Sequence, residues 1–303
     1  MDIQKLNQYK ADGLLMSQNH PVHDLIIWNY TPKVQYEQLW DDITINARGL
    51  VTDSFGNIIS KGFPKFWNIE ENKHQHTNNF EVFEKLDGQY IGCFWYNGEL
   101  IVNSRGSFTS PYAIEAHRVL KEKYPQFEAF LFANTTYCFE LIGFEQIVCS
   151  YPEVDLVLTG RFEKQFDGWY EIDLYTSESL YMSRIKIVKK YSGLDYTQIK
   201  QFNWKNAEGF VVRFSNGSRC KIKFEDYINL HRQMTNLSTT AIWEAMKNGT
   251  PVTEMLNDVP DEFYLKILEI ESTLKSKFHW YRIEVPFEFI RYGAWALSKK
   301  DFA

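Results

Sequence analysis

At 303 residues the chain can bury a full core, and its length suits one large domain with a smaller one, or two of ordinary size. A hydrophobic fraction of 44%, a charged fraction of 24% and an aromatic fraction of 17% exclude extended disorder and describe a soluble globular protein rich in large side chains. The formal net charge of −6 argues against broad non-specific binding to phosphate backbones, so any nucleic-acid contact has to come from local basic patches.

Taken in order, the chain opens with a polar helix from Ile3 to Met16 and an apolar strand from Leu25 to Tyr30. The β-branched run from Ile43 to Asp53 predicts a strand broken at Ala47-Arg48-Gly49, and the turn Asp53 to Asn57 returns Ile58 to Phe63 as its hairpin partner. Pro64-Lys65-Phe66-Trp67-Asn68 closes that unit. An alternating stretch with Phe80 and Val82 then leads into Glu84-Lys85-Leu86-Asp87-Gly88, which sets a lysine at a strand end, beside an acid and a glycine. Asn97-Gly98 predicts a tight hairpin between Tyr90 to Tyr96 and Glu99 to Asn103, because both central positions of a type I′ turn need positive φ. Ser110-Pro111 caps a helix that runs to Lys123 and stops at Tyr124-Pro125.

Thr136 to Gly143 is a strand with one embedded carboxylate, Glu140, and such a group needs a partner or a task. Val154 to Thr159 is another strand. Ser183 to Lys190 is a basic stretch with two readings, a nucleic-acid surface or a solvated face. Asn216-Gly217 marks a second hairpin, between Phe210 to Phe214 and Arg219 to Lys223, after which Phe224 to Gln233 turns helical. From Ser238 to Lys247, with Asn248-Gly249 as cap, and from Pro260 to Phe278 the spacing is helical, with Phe263, Ile267, Ile270 and Leu274 on one face. The expected division is a β-rich body over residues 1–235 and a small helical domain over 236–303.

Cys93, Cys138, Cys149 and Cys220 lack any Cys-x-x-Cys spacing and read as reduced core residues. No basic region followed by an apolar run opens the chain, and no stretch approaches the roughly 18 apolar residues that span a bilayer, so a cytoplasmic protein without a membrane partner is expected. The histidines show no ligand spacing and no phosphate-binding P-loop occurs, so no structural metal and no P-loop nucleotide site are expected.

The charged residues at strand ends or interiors are Arg48, Lys65, Lys85, Arg105, Glu140, Glu208, Lys221 and Lys223. Lys85-Leu86-Asp87-Gly88, Ser104-Arg105-Gly106-Ser107, Phe139-Glu140-Leu141-Ile142-Gly143, Glu208-Gly209-Phe210-Val211-Val212-Arg213 and Lys221-Ile222-Lys223 resemble, in that order, the nucleotidyltransferase motifs of ATP-dependent ligases. Ala47-Arg48-Gly49, Pro64 to Asn68 and Tyr227 are similar to elements of the phage T4 RNA ligase 1 family. The resemblance runs from about Ile43 to Tyr227 and departs from the family at Trp67, where a Phe is expected, and at Arg105, where a Lys is expected. The C-terminal segment is shorter than that family leads one to expect, which leaves a tRNA-repair role open.

The resemblance implies an α+β fold, an antiparallel-sheet nucleotidyltransferase (ATP-grasp-like ligase) domain followed by the helical one. It implies an RNA ligase (ATP) in which Lys85 carries AMP, passes it to an RNA 5′-phosphate, and a 3′-hydroxyl then displaces it. It also implies that Glu140 contacts the ribose, Glu208 helps hold Mg²⁺ (Mn²⁺ being the alternative), and Arg48 and Lys65 meet the β and γ phosphates. Trp67, Gly88, Arg105 and Tyr227 belong to the same nucleotide site, Arg105 with the acceptor strand as its alternative. Trp67, Phe162 and Tyr227 are either base-stacking or core aromatics. The expected partner is RNA with 5′-phosphate and 3′-hydroxyl ends, single-stranded or broken, and a monomer is expected. A nick-sealing duplex ligase and a non-catalytic nucleotide-dependent RNA-binding module are the alternatives.

The chemistry also follows from the residues. An unperturbed lysine is only on the order of 0.05% neutral at pH 7, so a nucleophilic Lys85 needs a lowered pKa. Lys221 and Lys223, alternating on one strand, are expected to supply the positive field that lowers it and to neutralise a triphosphate.

Overall fold

A computed structural model of the chain describes residues 2–71, 73–145, 148–177, 180, 183–236, 239–252 and 269–278. The chain divides into two units, one made of Met1–Gln146, Ser150–Phe202 and Ala207–Lys223, the other of Ile147–Cys149, Asn203–Asn206 and Phe224–Ala303.

The first unit begins with helix α1 (Ile3–Ala11), whose Asp2 cap accepts the Gln4 backbone N–H at 2.9 Å. The helix ends short of the expected Met16: Gly13 takes φ +72°, and strand β1 (Leu15–Asn19) pairs with β2 (Ile26–Tyr30) from Leu15 opposite Tyr30 onward. A left-handed residue just past the cap ends a helix because it turns the chain out of helical register. After α2 (Pro32–Glu37), the β-branched residues Ile43 to Ile45 form a short helix, α3 (Asp42–Asn46), rather than the expected strand. The reason is local. The Asp41 carboxylate accepts the Ile43 and Thr44 N–H groups at 3.0 and 2.8 Å, and the Thr44 hydroxyl accepts the Asp41 N–H at 2.8 Å, a reciprocal cap that outweighs weak β-propensity. The strand begins at Arg48, and β3 (Arg48–Thr52) and β4 (Ile58–Ser60) complete an antiparallel sheet in the order β1-β2-β3-β4.

The remaining strands of this unit are β5 (Trp67–Asn68), β6 (Phe80–Lys85), β7 (Gln89–Tyr96), β8 (Glu99–Ser104), β9 (Thr135–Ile142), β10 (Asp155–Lys164), β11 (Trp169–Glu171), β12 (Lys186–Ile187), β13 (Lys190–Tyr191), β14 (Gly209–Phe214) and β15 (Arg219–Lys223), with helix α4 (Pro111–Lys123) between β8 and β9. They form a second sheet, β11-β10-β9-β7-β8 with β12 beside β10, and a third, β13-β6-β14-β15-β5. Pairing is antiparallel apart from β12 on β10 and β5 on β15. Asn97 and Gly98 take φ 49° and 84°, as a type I′ turn requires. The second hairpin is built differently. Gly217 alone has positive φ, its N–H donates to the Phe214 carbonyl at 2.9 Å, and a three-residue loop results.

Period-two alternation decides what each strand shows to each side. On β7 and β9, Ile91, Cys93, Tyr137, Phe139 and Leu141 pack with Ala116, Val119 and Leu120 of α4. Their neighbours Tyr90 and Cys138 face the other way, against Phe63 and Phe162, while Phe94 meets Ile27 and Val51 of the first sheet. Glu140 alternates with Phe139 and Leu141, which puts its carboxylate on the side away from α4. All four cysteines are buried and none is in a disulfide. The basic stretch reads as scaffold, because Lys186 pairs with Asp155 and Glu153, and Lys190 with Glu81.

The second unit contains α5 (Glu225–Asn236) and α6 (Thr239–Lys247), the latter followed by Gly249 at φ +74°, and residues 269–278 are helical. The expected helix start at Pro260, with Phe263 and Ile267, lies outside the described residues.

Candidate active site

Three rows of side chains cross the third sheet. Lys85, Gly209 and Lys223 are register partners on β6, β14 and β15; Phe83, Val211 and Lys221 form the next row, and Glu81, Arg213 and Arg219 the row after that. Spaced by two residues along each strand, these side chains share one face. Gly209 has φ +151°, and a Cβ there would lie 1.9 Å from the Ile222 carbonyl, so glycine alone lets Glu208 enter the sheet at the end of the first row. Gly88 lets β6 turn directly into β7 beside β9, since a Cβ would stand 2.4 Å from the Leu141 carbonyl and 2.7 Å from Cγ of Glu140. The register places Glu140 opposite Tyr90.

This geometry brings Lys85, Glu208 and Lys223 together. Lys85 Nζ donates to Oε2 of Glu208 at 2.6 Å and Lys223 Nζ approaches Oε1 at 2.9 Å, with the Glu208 side chain only 5% exposed. Burial works to raise the Glu208 pKa, but the two lysines outweigh it and hold the group ionised. Burial likewise works to lower Lys85, yet Glu208 and Glu140 overcome it and leave Lys85 above its ordinary value. The expectation that neighbouring cations depress Lys85 is therefore corrected, because two carboxylates are its dominant neighbours. Lys221 is depressed instead, to about 8, by burial and by the fields of Lys85, Lys65 and Lys223. Glu140 is pushed up to about 7, by burial above all, with Lys85 opposing and Glu208 adding to the rise.

Lys85, Glu140, Arg48 and Tyr90 line an open cleft of about 870 Å³ counted to its solvent-facing mouth. Arg48 lies over the Tyr90 ring at 5.4 Å from its centroid. Lys65, half-buried, donates to the Gln35 side-chain carbonyl at 3.0 Å, and its pKa is lowered by burial and then by Arg48, with Arg105 and Lys73 adding smaller repulsions. Arg105 thus belongs to the same cationic group, placed just after β8. Trp67 sits on β5, hydrogen-bonded to β15 where Cys220 precedes Lys221. Phe162 is a core residue, edge-on to Phe63 at 5.1 Å. Tyr227 is buried in the second unit, its ring 5.8 Å from that of His231.

Several cleft residues escaped the sequence reading. Phe66, Phe83, Tyr175 and Val188 supply apolar wall, and Arg213 and Arg219 both pair with Glu171, with Glu81 closing the chain of charges on Arg213. Phe66 and Arg213 stand inside quoted motifs without a role assigned to them, and the others carry no local mark, because each partner comes from a distant segment; Arg213 and Glu81 are 132 positions apart. Alternation on β14 and β15 was the available signal.

The family model described as RNA ligase (RNA_lig_T4_1) matches residues 46–228. A protein of Autographa californica nuclear polyhedrosis virus, whose name gives it polynucleotide kinase and RNA ligase activities, is 26% identical over 296 residues, which cover 85% of this chain. This chain spans only 39% of that relative's length. Among solved structures, an archaeal ATP-dependent RNA ligase superposes with a TM-score of 0.55 at 14% identity, over 95% of this chain and 73% of the other. A protein of Aquifex aeolicus described as an ATP-dependent DNA ligase does so at 0.53 and 18%, over 92% and 75%. Both structural likenesses concern the fold, α+β with antiparallel sheets like those of ATP-dependent ligases. The family match begins two residues before Arg48, ends one residue after Tyr227 and takes in every charged residue of the cleft; the chain belongs to the RNA ligase family of the T4 RNA ligase 1 type.

Proposed function

We propose that the chain is an ATP-dependent RNA ligase that joins RNA 5′-phosphate and 3′-hydroxyl ends through a lysyl-AMP on Lys85. The observation that carries this reading is the Lys85–Glu208–Lys223 row at the edge of a cleft bordered by cations. In the first step Lys85 Nζ bonds to the α-phosphorus of ATP, the bond to the bridging oxygen breaks, and pyrophosphate leaves with that electron pair. Attack requires the neutral amine, so the Lys85–Glu208 pair opens as the triphosphate arrives. Glu208, already within hydrogen-bond reach, can receive the proton that Lys85 sheds. Lys221 and Lys223 neutralise charge on the phosphates, while Arg48 and Lys65 orient the leaving pyrophosphate. Gly88 and Glu140 border the ribose, and Trp67 and Arg105 complete the nucleotide site. The AMP then passes to the RNA 5′-phosphate, and the 3′-hydroxyl displaces it to form a phosphodiester. Covalent catalysis splits one hard displacement into easier ones.

The donor set around Lys85 fits a hard divalent cation, because Glu208 offers carboxylate oxygens deep in the row. Among the described residues no three His, Cys, Asp or Glu side chains converge on a metal site. Glu208 together with phosphate oxygens would therefore hold Mg²⁺, or Mn²⁺ in its place. When bound, the ion supplies charge neutralisation at the phosphates.

In this reading the enzyme is a cytoplasmic monomer, with the nucleotidyltransferase body over 1–235 and a helical domain over 236–303. Four buried cysteines outside any disulfide accord with a reducing compartment, and among the described residues no helix is long and apolar enough to cross a membrane. Incubation with a divalent cation and α-labelled ATP, after stripping any bound AMP with pyrophosphate, should label the denatured polypeptide, and Lys85→Ala should abolish the label. Equal labelling of both proteins, or of neither, sinks the proposal.

A further inference from the structure

Trp67 and Asn68 run parallel to β15, with Cys220 and Lys221 as their register partners, so the segment that follows them starts beside the candidate phosphate-binding lysines. Lys73 comes back over this strand. Its Nζ lies 5.5 Å from the Trp67 ring centroid and donates to the Gln38 side-chain carbonyl at 2.5 Å. Lys65 repeats the arrangement one step away, 5.2 Å from the Trp40 ring and 3.0 Å from the Gln35 carbonyl oxygen. Trp40 meets Trp67 edge-on at 5.8 Å and Tyr30 at 4.9 Å, and Arg105 lies 5.6 Å from the Tyr30 ring. Arg105, Tyr30, Lys65, Trp40, Trp67 and Lys73 thus form one continuous row of cations interleaved with aromatic rings, Trp40 and Trp67 being adjacent.

The charge of this row is uncompensated. Among the described residues, none of Arg48, Lys65, Lys73, Arg105 and Lys221 has a carboxylate within ion-pair distance, although acids outnumber bases by 39 to 33 in the chain. Elsewhere in the first unit Lys186, Lys190, Arg213, Arg219 and Lys223 are each paired with an acid. Glu71, whose field reaches Lys65, has its Oε1 engaged by the backbone and side-chain N–H groups of Asn68, both at 3.0 Å. Among the described residues the indole N–H groups of Trp40 and Trp67 also find no acceptor. Donors and positive charge exceed acceptors throughout, the imbalance that anionic oxygens fill.

We propose that Lys73, steered by Gln38 and the Trp67 face, binds a backbone phosphate of the RNA strand that carries the reacting 5′-phosphate. This rests on the RNA ligase reading. In that reading Arg48, Lys65, Lys221 and Lys223 already serve the triphosphate, so an exposed cation at the outer end of the row is left for a polyanion longer than ATP. Aromatic faces between cations suit a strand, whose bases and sugars interrupt its phosphates. Lys73 lies in none of the ligase motifs; its position beside Trp67 is a product of the fold.

The test uses the full chain and a short 5′-phosphorylated single-stranded oligoribonucleotide, with affinity measured by fluorescence anisotropy from about 50 to 200 mM salt. Lys73→Ala should weaken binding roughly 5- to 10-fold at the lower salt and flatten the slope of log K against log salt by about 0.7, the change for one lost phosphate contact on a single strand. Lys73→Arg should restore both. An unaltered affinity and slope in Lys73→Ala overturns the proposal. So does an intact RNA affinity with a raised KM for ATP in lysyl-AMP formation, which would assign Lys73 to the nucleotide. Wild-type protein that makes no lysyl-AMP while Lys73→Ala still loses RNA affinity would sink the ligase reading and support the Lys73 phosphate contact.

Discussion

Lys85 Nζ lies 2.6 Å from Oε2 of Glu208, and that pairing sets the charge of the candidate nucleophile. Burial alone would favour the neutral amine, but the carboxylates of Glu208 and Glu140 hold the proton on it. In the resting site the Lys85 amine is therefore charged, and it must shed its proton before it can attack.

Replacing Glu208 by Gln removes the larger of the two attractions and leaves burial in place, so the Lys85 pKa should fall. The pH midpoint for modification of Lys85 by an amine-selective reagent, followed by peptide mass spectrometry, should move to lower pH. Lysyl-AMP formation should nevertheless drop by about 100-fold or more, because the carboxylate that would hold the divalent cation at the phosphates is lost.

Gly88 has no room for a side chain. Gly88→Ala puts a methyl group 2.4 Å from the Leu141 carbonyl and 2.7 Å from Cγ of Glu140, which should cost about 1–3 kcal/mol of stability. The checking measurement is the urea midpoint, with the slope m unchanged.

Glu140 should make stability pH-dependent. Its folded-state pKa is raised to about 7 from the ordinary 4.5, so its contribution is fully present below pH 4.5 and is lost as pH rises through 7. Glu140→Gln does not titrate. Its stability relative to wild type should therefore improve by about 3 kcal/mol between those limits and then level off, read from denaturant unfolding at a series of pH values.

Glu171 joins Arg213 at 2.7 Å and also pairs with Arg219, whose side chain is 8% exposed. Glu171→Ala strands Arg219 without an acid and should cost about 3 kcal/mol. In a double-mutant cycle, Glu171→Ala combined with Arg219→Met should cost less than the sum of the two single changes.

Lys221, depressed to about 8, should take up a proton when an anion binds beside it. Calorimetric titration with sulfate near pH 8, in buffers of different ionisation enthalpy, should show proton uptake by wild type. At pH 6.5 the uptake should vanish, because the lysine is already charged, and Lys221→Gln should show none at either pH.

What the sequence determined by itself was the part of the molecule written in short-range code. The order of charged motifs from Arg48 to Lys223, the Asn97-Gly98 hairpin, the Ser110 cap and the strand periods are all local, and each agrees with its surroundings. Local reading went astray where a second local signal competed, as at Ile43 to Ile45, where the Asp41 cap overrode β-branched residues. Tertiary structure decided the electrostatics. Lys85 is held charged because β14 and β9 bring Glu208 and Glu140 to it, Lys221 is depressed by burial and because Lys85 and Lys65 approach it from separate segments, and Lys73 joins the cationic row because Gln38 and Trp40 come from a distant segment to meet it and Trp67. Coulomb energies depend on distances in space and on burial, and neither is encoded in the spacing of a motif along the chain.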